Sequence, residues 1–219
     1  MERKEKMTHR VNLTSDGRSF LVLDSLPENL KVYGKDQFAI LFDLRPQERG
    51  KVIMRFGETE SARWHKSYLE TPAHDPDLKY SYMFSGTDNA NIRDPLPREF
   101  LPFFDYVNRN GDGYNQVVVN WYENGRDYIA QHSDCEVGMK KDANIVVISL
   151  GDERIFKLVP KKHIRIKESE QRNFEILCGH GSIITMGGDT QKNFRHGVPK
   201  SDSKAPRISI TFRKFECCV

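Results

Sequence analysis

QVVVNWYENGRDYIAQHSD, residues 116–134, is the stretch from which the rest of the chain can be read. Residues 116–122 alternate, with Val117, Val119 and Trp121 on one side and Asn120 and Tyr122 on the other. That period of two marks a strand with one face in a core. Glu-Asn-Gly (123–125) signals a turn, and YIAQH (128–132) reads as a second short strand. At its end His132 and Asp134 stand at i and i+2, so an extended backbone turns both toward one metal ion. Two histidines and one carboxylate with open coordination positions form the facial triad of non-haem Fe(II) oxygenases. His196 is the candidate for the second histidine. Taken singly, His132 and His196 also read as satisfied core histidines and Asp134 as a turn residue.

Downstream of this stretch, short strands follow one another: NIVVISL (144–150), RIFKLV (154–159), HIRIK (163–167), FEIL (174–177), SIITM (182–186) and RISITFRKF (207–215). About eight strands at short spacing predict a jelly roll or barrel. In the last of them Arg207, Ser209, Thr211 and Arg213 share one face, and Ile208, Ile210 and Phe212 the other. A polar row of this kind is costly unless it meets water or an anion. Arginine's planar fork grips a carboxylate with two parallel bonds, as an oxo-acid co-substrate would need. The alternative is an amphipathic edge strand with a solvated face. Asn120 and Tyr122, in the mouth of such a barrel, could orient the same co-substrate.

Upstream, residues 1–17 are polar and predict a loose tail. FLVLDSLP (20–27) reads as a strand and turn. DQFAILFDLRPQE (36–48) reads as an amphipathic helix capped by Asp36, and KVIMRFG (51–57) as a strand. Aromatics among turn formers mark 61–95, and REFLPFFDYVNRN (98–110) predicts a second helix ended by the turn at 110–113. With 219 residues, 37% hydrophobic and 30% charged, the chain has enough sequence for one domain with a real core. Its net charge of +3 permits a phosphate-bearing partner without demanding one. No apolar run approaches the roughly 20 residues needed to cross a membrane, and MERKEKMTHR lacks the apolar segment of a signal peptide. Cys135, Cys178, Cys217 and Cys218 have no zinc-ligand spacing, and the adjacent last two are poorly placed for a disulfide. A reducing compartment, cytoplasm or nucleus, is the expectation.

The segments NWYENGRDYIAQHSDCE, ISLGDERIF, HGSIITMGGDTQKNFRH and RISITFR together resemble the AlkB-type 2-oxoglutarate- and Fe(II)-dependent dioxygenases, closest to the alkylation-repair demethylases. The match is close over 116–215 and weaker back to about Phe56. It implies a mainly β fold with flanking helices, a double-stranded β-helix (jelly roll) core and an N-terminal nucleotide-recognition lid. The implied division is a flexible tail at 1–17 and one dioxygenase domain at 18–219. Within that domain 18–95 is the extension and lid, and 96–216 the helix and catalytic core. The resemblance further implies that His132, Asp134 and His196 ligate Fe(II), and that Arg207 pairs with the far carboxylate of 2-oxoglutarate, assisted by Asn120 and Tyr122. Ser209, Thr211 and Arg213 would line the co-substrate pocket. Tyr82, Phe84 and Glu136 match positions that hold a flipped base, and Phe56 reads either as a wedge in the base gap or as a core residue.

The activity so implied is O2-dependent removal of N-methyl groups from DNA or RNA bases, releasing formaldehyde, succinate and CO2, with ascorbate as reductant in vitro and a monomer as the working unit. A methylated base pairs poorly and is cheap to extrude from the stack. Lys51, Arg55, Arg63, Lys66 and Lys79 would then supply phosphate contacts. Two readings compete: an AlkB-like oxygenase acting on a protein side chain or small metabolite, and a nucleic-acid binding module with a decayed site.

Overall fold

Alternation within the strands sorts the apolar residues into two layers, and the architecture follows from that sorting. The structure, a computed structural model, describes residues 8–54, 57–70, 83–84, 87–88, 94–109, 113–136, 138–162 and 172–216, with backbone alone for 53–54, 83–84 and 87–88. Two strands, β1 (His9–Asn12) and β2 (Ser19–Ser25), lead into helices α1 (Glu28–Asp36) and α2 (Phe38–Asp43). Strands β3 (Lys51–Met54), β4 (Gly57–Glu60), β5 (Trp64–Leu69), β6 (Met83–Phe84) and β7 (Thr87–Asp88) follow. A single 3-10 turn, Arg98–Phe100, runs into α3 (Leu101–Asn108). Then come β8 (Gln116–Tyr122), β9 (Ile129–His132), β10 (Ile145–Gly151), β11 (Arg154–Pro160), β12 (Phe174–Cys178) and β13 (Ser182–Gly188). The short helix α4 (Thr190–Asn193) precedes β14 (Phe194–Val198) and β15 (Arg207–Arg213).

The strands form a seven-stranded sheet in the order β1-β2-β13-β10-β15-β8-β5 and a four-stranded sheet in the order β12-β11-β14-β9. Every pairing in them is antiparallel. The fold is thus mainly β with flanking helices, and its core is the jelly roll that the strand spacing predicts. Val117, Val119 and Trp121 of β8, with Ile208, Ile210 and Phe212 of β15, pack against Leu30, Leu41, Phe100 and Phe103 from the helices. Each such fully buried large side chain contributes about 1.5–3 kcal/mol. Trp121 also donates its indole N–H to Leu41 O at 2.8 Å, so its one polar atom is not stranded in the core. The opposite layer lies between the sheets, where Val147, Ile184 and Met186 meet Phe156, Leu158, Phe194 and Val198.

Three expectations need correction. Residues of the expected loose tail, His9–Asn12, pair with β2, because Val11 and the buried Leu13 pack into the layer between the sheets. The helix expected over 36–48 is the shorter α2, Phe38–Asp43, set off from α1 at Gln37, and Asp36 ends α1 rather than capping α2. The first helix went unread because a glycine interrupts its pattern. Gly34 is buried, and a Cβ there would come within 3.0 Å of Leu150 Cδ2, so the absence of a side chain lets α1 settle on β10. Residues 194–198, to which the sequence assigned no element, form β14, and the strand expected at 207–215 ends at Arg213. The strand expected at 163–167 and most of the turn at 110–113 lie outside the described residues. Among those residues no helix is long and apolar enough to cross a membrane.

Candidate metal centre and its pocket

The layer between the sheets is filled at one end and open at the other. The open end is a cavity of about 660 Å³, walled by β8, β15 and β10 on one side and β9, β11 and β14 on the other. Residues Val52, Thr59, Ser61 and Arg63 of the N-terminal segment close over it.

His132 and His196 are directly opposed partners on the neighbouring strands β9 and β14, with ring centroids 4.4 Å apart. Gly197, beside His196, lets the two backbones approach, since a Cβ there would sit 2.7 Å from Ile129 O. One extra residue in β9 is taken up between this pair and the next, a bulge that aims the end of the strand. Asp134 lies beyond the end of β9, so strand alternation does not place it. It is placed by Arg213, which donates to Asp134 Oδ1 at 2.8 Å and Oδ2 at 3.2 Å. Asp134 Oδ1 then lies 3.6 Å from His132 Nε2 and 4.0 Å from His196 Nε2. One ligand atom from each residue falls within 4.8 Å of the others, an arrangement that could hold a metal ion. The Nδ1 of His132 bonds Ala130 O at 2.9 Å, which orients the ring and leaves Nε2 for a metal.

The electrostatics suit cation binding. Burial by itself would raise the Asp134 carboxyl, but the Arg213 guanidinium and the two histidines outweigh it and hold the group well below the usual carboxylate range. His196 is pushed down to about 3, chiefly by burial and then by His132, so it is a neutral imidazole with a lone pair at neutral pH. His65, half-buried beside Arg63, is pushed down to about 4, chiefly by desolvation. In the unfolded chain both histidines take up protons near pH 6.5, whereas the folded chain keeps them neutral. Acid therefore favours the unfolded state. The urea midpoint of the metal-free protein is expected to fall between pH 7.5 and pH 5, and equal midpoints would show that these imidazoles are not held neutral by the fold.

The Arg-Ser-Thr-Arg row of β15 is not a solvated face, since Arg207, Ser209, Thr211 and Arg213 are all buried. Ser209 and Thr211 line the cavity beside Asn120 and Tyr122 of β8, and Arg207 is the cross-strand partner of Tyr122. The Arg207 guanidinium stands 5.1 Å from the centre of the Tyr122 ring and donates from Nη2 to Ser149 Oγ at 2.9 Å. Its Nε and Nη1 are buried with no partner among the described residues. An ionised group with stranded donors in a protein interior is costly. A carboxylate entering beside Tyr122 would relieve that cost, so the residues fit a dicarboxylate co-substrate as well as a metal ion.

The residues expected to hold a base are less fully described. Tyr82 and Phe56 lie outside the described residues, and Phe84 is seen only as backbone in the hairpin of β6 and β7. Glu136 is exposed beyond the cavity wall, where its charge faces Lys161. Three of the lid cations expected at phosphates have partners within the chain. Lys51 pairs with Glu58 at 3.3 Å, Lys66 with Asp94 at 2.8 Å, and buried Arg63 donates to Asn120 Oδ1 at 2.7 Å. Arg63 thus belongs to the pocket and not to the surface. Two further participants went unread. Gln116 accepts from Arg213 Nη1 at 3.2 Å, and its place in the same alternating set as Asn120 and Tyr122 was a usable signal. Gln191 accepts from the Asp134 N–H at 3.1 Å, and no pattern in the sequence announces that contact.

The model of the 2OG-Fe(II) oxygenase superfamily matches residues 43–213. The DNA oxidative demethylase ALKBH2 of Bos taurus is 29% identical over 162 residues, covering 70% of this chain and 55% of that protein. The alpha-ketoglutarate-dependent dioxygenase alkB homolog 3 of Homo sapiens is 32% identical over 108 residues, covering 47% of this chain and 37% of that protein. The chain thus spans little more than half the length of the bovine relative and less of the human one. Among solved structures OsALKBH1 shares the fold, with a TM-score of 0.55 at 14% identity over 89% of this chain and 96% of that one.

Proposed function

Because the chain belongs to the 2OG-Fe(II) oxygenase superfamily, we propose that it is a 2-oxoglutarate-dependent Fe(II) dioxygenase that removes N-methyl groups from nucleic-acid bases. The observation that carries this reading is a pair of matched features: three metal-ligand atoms within 4.8 Å of one another in a cavity that Tyr122 also lines, and, against the Tyr122 ring, a buried guanidinium with two unpartnered N–H groups. The demethylase names of the DNA-acting relatives support the substrate class.

His132, Asp134 and His196 hold the metal, and Arg213 keeps Asp134 ionised and oriented for it. Arg207 grips the far carboxylate of 2-oxoglutarate at the Tyr122 end, and Asn120, held by Arg63, offers its amide N–H to the same molecule. Ser209 and Thr211 form the polar wall, while Val147, Phe156 and Val198 keep bulk water from the reacting centre. Bound iron and 2-oxoglutarate supply the oxidation of the methyl C–H bond by O2. The hydroxymethyl amine so formed releases formaldehyde and the unmodified base, with succinate and CO2 as the other products. Tyr82, Phe84 and Glu136 are proposed to hold the extruded base, and the working compartment is proposed to be the cytoplasm or nucleus.

One observation favours a different substrate. Lys51, Arg63 and Lys66 are all engaged within the chain, so the lid offers phosphates less free charge than its composition suggests. A protein side chain or small metabolite would not need that charge. The deciding experiment is mass spectrometry of methylated DNA and RNA oligonucleotides incubated with Fe(II), 2-oxoglutarate and ascorbate. The expected result is loss of one methyl mass from a specific base, absent without iron. Succinate formation with every oligonucleotide unchanged would move the substrate to proteins or metabolites.

A further inference from the structure

Asp134 stands past the last ladder bond of β9, so the strand does not hold its backbone. The loop is instead joined twice to the segment that carries His196. The Ser133 hydroxyl donates to Phe194 O at 3.0 Å, and the Asp134 N–H donates to the side-chain carbonyl of Gln191 at 3.1 Å. Gln191 is buried on α4, between β13 and β14, with its amide nitrogen against Met186 Sδ at 3.3 Å. A helix of four residues has too few internal bonds to set its own position, and α4 is held from outside. Lys161 Nζ donates to Gln191 O at 2.7 Å. The Thr190 hydroxyl accepts from Phe20 N–H at 3.1 Å and donates to Gly187 O at 2.6 Å. Asn193 Nδ2 donates to Ser19 Oγ at 2.8 Å. Ser19 and Phe20 belong to β2, which precedes residue 43, where the match to the superfamily begins.

We propose that Gln191 is a positioning residue for the metal centre, fixing the Asp134 backbone against the strand of His196, and that β2 in turn holds Gln191 in place through Thr190. Arg213 grips only the carboxylate of Asp134, and a side chain held at its tip alone can swing with its loop. With the N–H fixed as well, the carboxylate keeps its spacing to both imidazoles before any metal arrives. The metal then does not have to order the loop, and affinity gains by that amount. Removing a group that orients a metal ligand lowers affinity about 10- to 100-fold. The inference rests on the reading of His132, Asp134 and His196 as metal ligands, and the wild-type control tests that reading separately.

The test is a titration of the metal-free full chain with Co(II), followed by its visible absorption. Gln191→Leu, nearly isosteric but with no acceptor, is expected to bind Co(II) about tenfold more weakly or worse. Its melting temperature without metal is expected to fall, because the buried Asp134 N–H loses its acceptor, while its KM for 2-oxoglutarate at saturating metal should stay near the wild-type value. Gln191→Glu keeps a carbonyl acceptor and is expected to recover most of the affinity. Thr190→Val, one step further back, should weaken binding in the same direction and by less. Wild-type affinity in Gln191→Leu overturns the proposal. If that variant does not fold, wild-type affinity in Thr190→Val does so instead. A wild-type chain that takes up no Co(II) overturns the metal reading itself.

Discussion

In a His132→Ala variant, iron-dependent conversion of 2-oxoglutarate to succinate is expected to fall by more than about a hundredfold. That figure is the upper end of what loss of a mere supporting partner costs a metal site, and His132 is placed as a ligand. The loss should be chemical and not structural. The His132 side chain is 33% exposed at the cavity mouth, and its ring makes one bond to the protein backbone, to Ala130 O. Truncation there strands no buried group, so the melting temperature of the metal-free protein should hardly move. The contrast is Asp134→Ala, which would leave the Arg213 charge buried and uncompensated, at a cost of about 3–5 kcal/mol in stability. The pair of variants separates the two roles. His132→Ala with normal succinate formation would refute the triad, and His132→Ala that fails to fold would show the ring to be a packing residue.

Arg207→Lys is expected to raise the KM for 2-oxoglutarate about 10- to 100-fold. The variant keeps the positive charge and loses the planar fork. One charge-assisted hydrogen bond is worth about 1.5–3 kcal/mol, and each 1.4 kcal/mol is a factor of about ten in affinity. Turnover at saturating 2-oxoglutarate should suffer less, because the metal ligands are untouched. Arg207 is 1% exposed and its Nη2 already belongs to Ser149, so a lysine would spend its one ammonium group on that hydroxyl or leave it stranded. An unchanged KM would place the co-substrate carboxylate on another cation. Arg154 is the next candidate, since its guanidinium lies 5.8 Å from the centre of the Tyr122 ring, on the residue that Arg207 also flanks.

The strands and the chemistry of the site were legible in the sequence, because a pleated strand buried on one face writes its geometry as a period of two. Val117, Val119 and Trp121 against Asn120 and Tyr122, and Ile208, Ile210 and Phe212 against Arg207, Ser209, Thr211 and Arg213, are local patterns that needed no partner to be read. They determined a mainly β chain whose strands carry one apolar and one polar face, and His132-Ser133-Asp134 named a chemistry that the polar face could perform, while burial of the Arg207–Arg213 row was decided by the packing. Tertiary structure alone decided where those groups stand. The opposition of His132 and His196 is a pairing across 64 residues, and it depends on Gly197 and a bulge that alternation does not encode. Asp134 sits beyond its strand and is held by Arg213 and Gln191, which are 79 and 57 residues away. Arg63 looked like surface charge and is a buried support for Asn120. In each case the deciding contact joins residues distant in sequence, whose meeting is set by sheet order and packing and by no local preference.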